Sequence, residues 1–119
     1  MIKKFATVTL WVEDFKNALH FYRDVLGLEL ISQPGDMPHF KVGEGLLVLA
    51  KGRLQPPANA FPPDFPLLSL EVVDLDTCVT RLHSFKFALE CNIEERRDSR
   101  WIKLHDPDGN LIELVELKS

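Results

Sequence analysis

From Ala6 to Val12 the chain alternates, with Ala6, Val8, Leu10 and Val12 on one face and Thr7, Thr9 and Trp11 on the other. A period of two belongs to a strand with one packed face and one half-polar face. The period then changes. Phe15, Ala18, Leu19, Tyr22, Val25 and Leu26 recur at threes and fours, which predicts a helix over about 14–26, with Asp14 capping its first amides and Gly27 ending it. Three short apolar stretches follow at 28–32, 40–42 and 46–50, separated by Pro34-Gly35-Asp36 and Gly43-Glu44-Gly45. These residues favour turns between strands, so the order is β, α, β, β, β.

The pattern restarts at an offset of 60, where Leu70, Val72 and Asp74 match Leu10, Val12 and Asp14. This is an internal repeat. Leu75, Cys78, Val79 and Leu82 give a second helix, and strands are predicted at about 88–94, 100–104 and 110–117. Asp106-Pro107-Asp108-Gly109 turns the last two into a hairpin. Between the repeats, residues 51–66 hold five of the eight prolines, with Phe61 and Phe65 among them. Proline lacks the donor a central strand needs, so this stretch is a connector. The chain therefore divides into module one at about 4–51, the connector at about 52–66 and module two at about 67–119, within one domain over 1–119. Neither half can bury its helix stripe and sheet face alone, so the halves must stack their sheets or pair with another chain, which predicts an α+β domain of two related halves.

Composition narrows the function classes. The 119 residues, 45% of them hydrophobic, suit one domain with its own core. A net charge of -4 lacks the basic footprint of a nucleic-acid binder. Met1-Ile2-Lys3-Lys4 leads into an alternating segment and not an unbroken apolar run, so neither a signal peptide nor a membrane span is expected, and the cytoplasm is the expected location. Cys78 and Cys91, in a predicted helix and a predicted strand among apolar neighbours, read as small buried hydrophobes and not as a disulfide or zinc pair.

At specific places the chain resembles the vicinal oxygen chelate superfamily, which includes glyoxalases, bleomycin-resistance proteins and dioxygenases. Val12-Glu13-Asp14 followed by Ala18, Phe21-Tyr22 and Leu26-Gly27 is similar to its first-half signature, and Val72-Val73-Asp74-Leu75-Asp76 to the second-half counterpart. Asp106-Pro107-Asp108-Gly109-Asn110 with Glu113 is similar to its closing hairpin. The resemblance implies two βαβββ modules forming a cupped mixed sheet. It also implies a metal site, with histidines seven residues before each aspartate and glutamates in the last strand of each half. Those positions hold Thr7, Leu67, Val48 and Glu113. Threonine, valine and leucine do not replace imidazole or carboxylate, and a lone carboxylate does not fix a divalent ion. No metal and no other cofactor is therefore expected.

The resemblance places the ligand positions inside the cup, and every second residue of a strand shares a face. The expected lining is Thr7, Thr9, Trp11, His39, Lys41 and Val48 from the first module, and Leu67, Ser69, Glu71, Trp101, Lys103, His105 and Glu113 from the second. Tryptophans and a few polar groups suit a planar small molecule, although an indole at such a position packs as readily as it binds. His39 and His105 read first as surface or hydrogen-bonded residues, and Glu113 as a partner of Lys103 across neighbouring strands. His20 and His83 fall on solvated helix faces, and the mixed charges of 94–100 make a soluble hairpin tip.

Three functions stay open. One is a metal-free binding protein, similar to the bleomycin-resistance branch, which sequesters an antibiotic or metabolite. Another is a metal-dependent lyase, isomerase or dioxygenase with ligands relocated to His39, Glu71, His105 and Glu113. The last is an accessory domain that binds another protein. A homodimer is expected, since superfamily members of two-module length commonly complete their cups across a two-fold axis and Phe61 and Phe65 offer apolar surface.

Overall fold

The structure is a computed structural model that describes residues 1–52, 66–87, 89 and 92–118. It comprises two compact units, 1–55 and 56–119. Phe61, Phe65, Cys91 and most of the expected connector lie outside the described residues.

In the first unit, β1 (Thr7–Val12) leads into helix α1 (Phe15–Leu19) and then β2 (Glu29–Ser32), β3 (His39–Val42) and β4 (Gly45–Lys51). The sheet order is β1-β4-β3-β2, with β1 parallel to β4 and the other pairs antiparallel. Asp14 caps α1 by accepting from the Lys16 N–H at 2.8 Å. The helix expected over about 14–26 is present over 15–25, in two windings. The segment 14–26 is not α-helical throughout, because His20–Val25 is wound as a π-helix. Phe21 and Tyr22 are adjacent in sequence and both fully buried, together with Val25, and the wider i→i+5 winding turns consecutive large side chains toward one side. Their rings meet edge to face at 4.9 Å, and Tyr22 packs on Phe40. Val12, Ala18, Leu47 and Leu49 complete this core. Each large side chain sealed in it stabilises the unit by about 1.5 to 3 kcal/mol.

In the second unit, β5 (Leu68–Glu71) and helix α2 (Leu75–Ser84) precede β6 (Glu94–Glu95), β7 (Ser99–His105) and β8 (Leu111–Leu117). The order β5-β8-β7-β6 repeats that of the first sheet, with β5 parallel to β8. Asp74 repeats the role of Asp14, accepting from the Asp76 and Thr77 N–H groups. Glu116 accepts the next amide, that of Leu75, at 2.9 Å, while Arg100 donates to both Asp76 oxygens. Leu70, Leu75, Leu82, Ile102, Leu104, Ile112 and Leu114 form the buried side.

Of the strand expected at 88–94, residues 88, 90 and 91 lie outside the described residues, and the described part is shorter than expected. Asn92 and Ile93 are not in a strand, and β6 has only two residues. Both are glutamates paired to β7, and a short charged strand is how sheets blunt an edge. The Asp106 motif proves to be a hairpin knot. Buried Asp106 accepts from the Asp108 N–H, the Asn110 N–H and Asn110 Nδ2, and Gly109 takes φ 88, where a side chain would be strained.

Candidate functional site

Each sheet has a face opposite its helix-packed core, and register fixes which residues share it. In the first unit one row runs Thr7, Leu46, Lys41, the next Thr9, Val48, His39, and the last holds Trp11 beside Ala50. Thr7, Thr9 and Lys41 are exposed. Val48 is buried, with 7% of its surface accessible, and so has almost nothing to offer a ligand despite its position. His39 Nδ1 lies 2.9 Å from the Met37 carbonyl. A carbonyl only accepts, so Nδ1 is the donor in this contact.

Trp11 is half exposed, and the indole lies against Gly52. A Cβ on that glycine would come within 2.9 Å of Trp11 Cε3. The close approach therefore seats the ring, a dependence that alternation along β1 does not reveal.

In the second unit the central row is Ser69, Glu113, Lys103, running across β5, β8 and β7. Ser69 Oγ donates to Glu113 Oε1 at 2.7 Å. On one side of this row His105 stands opposite Leu111, and on the other Glu71, Val115 and Trp101 are aligned. Leu67 precedes β5 and is exposed. The Arg96 guanidinium lies over the Trp101 ring, 5.3 Å from its centroid. Arg96 thus has a specific placement on a tip that the charge pattern marks only as solvated. Hairpin geometry, and not periodicity, decides it. His20 and His83 are exposed, as the helix faces imply, and His20 Nδ1 lies 3.2 Å from Asp24. Cys78 lies half-buried on α2, and burial pushes its thiol pKa up, which makes it a poor nucleophile.

The donor set does not fit the metal that the resemblance implies. In the first unit the corresponding positions are an exposed Thr7 and a sealed Val48, and in the second Leu67 and a Glu113 that accepts a serine hydroxyl. Among the described residues, no three His, Cys, Asp or Glu side chains are grouped as a metal ion would require. No helix among them is long and apolar enough to cross a membrane.

Comparison with known proteins gives a consistent picture. The family model described as Glyoxalase/Bleomycin resistance protein/Dioxygenase superfamily matches residues 4–114. The uncharacterized protein YraH of Bacillus subtilis (strain 168) is 28% identical, over 96% of this chain and 98% of its own. Among solved structures, a lactoylglutathione lyase from Agrobacterium tumefaciens is 26% identical with a TM-score of 0.73, covering 97% of this chain and 94% of its own. A glyoxalase/dioxygenase from Nostoc punctiforme superposes with a TM-score of 0.83 at 23% identity, over 98% of this chain and 92% of its own.

Proposed function

Because the chain belongs to the Glyoxalase/Bleomycin resistance protein/Dioxygenase superfamily, we propose that it binds a small, planar organic molecule on the sheet faces described above, without a metal ion. The observation that carries this reading is the replacement of the superfamily's donors by Thr7, Val48 and Leu67, with the remaining carboxylate, Glu113, bonded to Ser69. Such a face cannot polarise a substrate oxygen through a bound cation, yet it keeps what a binding surface uses. On the first unit's face Trp11 supplies flat apolar area; on the second unit's, Trp101 does so, with Ser69, Glu71, Lys103, His105 and Glu113 as orienting polar groups. The reading is sequestration and not turnover, in a homodimer and in the cytoplasm. The likeness to a lactoylglutathione lyase favours an enzyme as the second reading, with metal donors other than those the resemblance implies.

The test is a thermal-shift screen of aromatic metabolites and antibiotics against protein stripped with a chelator, followed by tryptophan quenching. A ligand that binds equally with and without chelator supports the proposal. For it, Trp101→Ala should weaken binding by about 1 to 3 kcal/mol with the fold intact, as expected when an anchoring aromatic is truncated. Binding or turnover that appears only after a divalent metal is restored would establish the second reading instead.

A further inference from the structure

Arg96 sits between three acids in sequence, Glu94, Glu95 and Asp98, and an exposed arginine in such company ordinarily pairs with one. Here it does not. Lys118 Nζ engages the Glu95 carboxylate and also donates to the Arg96 carbonyl at 2.9 Å. The Lys118 N–H donates to the Asp98 carbonyl at 2.8 Å, and the Arg96 N–H to the Ser99 carbonyl at the same distance. The backbone of Arg96 is thus held at both its donor and its acceptor. Among the described residues no carboxylate lies within ion-pair distance of its guanidinium, which lies over Trp101.

We propose that Arg96 is the anion-recognition residue of the second unit's face, and that the ligand is a planar molecule carrying an oxyanion, a carboxylate or phosphate. This inference rests on the small-molecule reading given above. A guanidinium keeps its N–H donors in its own plane, so it can hold a bidentate oxyanion at its edge while its face stays toward the indole. An ammonium has no such plane. Trp101 then contacts the ligand's ring system and Arg96 its charge. The Lys118–Glu95 pair is the positioning element, because it withdraws the neighbouring acid and fixes the turn that aims the arginine.

The experiment compares 2-naphthoate with 2-naphthamide, which share a ring system and differ in charge. Binding is followed by the indole N–H resonance of Trp101, assigned by its loss in Trp101→Phe. The naphthoate should bind about tenfold more tightly, the factor that a charge-assisted hydrogen bond of modest strength supplies. Arg96→Gln should erase that preference while leaving naphthamide binding in place, and Arg96→Lys should restore only part of it. Equal binding of both probes, unchanged in Arg96→Gln, would overturn the role of Arg96 and leave the small-molecule reading standing. If neither probe moves the Trp101 resonance, the stacking site fails, and both the inference and this face's role in binding fail with it.

Discussion

Ser69 and Glu113 stand opposite each other on neighbouring parallel strands, and the serine hydroxyl donates to the carboxylate at 2.7 Å. Lys103 holds the matching position on the far side of Glu113. The acidic residue retained from the superfamily's donor set is therefore embedded in a hydrogen-bonded polar row, flanked by a hydroxyl and a cation-bearing strand. On the proposed reading its role is that of an orienting acceptor.

The hairpin knot at Asp106 is structural, and its removal should show in stability. Asp106→Ala deletes the acceptor of three donors, two of them on buried Asn110. Unsatisfied buried groups cost about 1 to 3 kcal/mol each, so a loss of about 3 kcal/mol is expected in urea denaturation. A loss below about 1 kcal/mol would mean that water or a relaxed turn replaces the carboxylate.

Acid should loosen the second helix at its start. Hydrogen bonds from the Thr77 hydroxyl and amide, chiefly, with the Asp76 amide and the Arg100 charge, hold the Asp74 carboxyl below its usual range. A carboxyl whose pKa is lowered by folding stabilises the native state above its unfolded pKa, and that contribution is lost as pH falls through the lowered value. Melting temperature should therefore drop on acidification below the ordinary carboxylate range. Asp74→Asn should melt lower than wild type at neutral pH, and the two curves should converge in acid. Parallel curves would show that the cap carries no charge-dependent stability.

Gly52→Ala should displace the Trp11 indole, because the added Cβ meets Cε3 at 2.9 Å. Overpacking of this kind costs about 1 to 3 kcal/mol where the neighbour cannot yield, and less where an exposed ring swings away. In a Trp101→Phe background, the emission maximum of Trp11 should shift. An unaltered spectrum would place the indole elsewhere.

The proposed homodimer can be tested, and exposed apolar surface on the first unit supports it. Ile2, Phe5 and Val8 are exposed beside or within β1, which is an edge strand. Light scattering at micromolar concentration is expected to give a dimer. A mass of one chain across that range would contradict it.

Much of this was legible in the chain itself. Asp14 and Asp74, spaced by the repeat, do cap equivalent helices, and the alternation around Ile102, Leu104, Ile112 and Leu114 does mark the buried side of the second sheet. The π-helix was not legible, because a three-and-four spacing of apolar residues does not distinguish α from the wider winding that adjacent Phe21 and Tyr22 adopt. A trace of the α2 cap was present. Glu116 continues the core-side alternation of Ile112 and Leu114, where a charge needs a partner, and it takes the Leu75 amide and Arg100. The placements of Trp11 on Gly52 and Arg96 on Trp101 depend on where turns bring side chains, which no period along one strand encodes.

Metal titration followed by thermal unfolding tests the central claim most directly. Chelator-treated protein would be melted with zinc, nickel, manganese or iron(II), and bound metal counted after desalting. An ion held by the native state alone stabilises it by about 2.7 kcal/mol at a hundredfold excess over its dissociation constant. For a chain of this size that is a rise of about 10 °C. The account predicts no such rise and no stoichiometric metal, alongside a ligand that raises the melting temperature in the presence of chelator. One metal per chain with a shift of that size would contradict it.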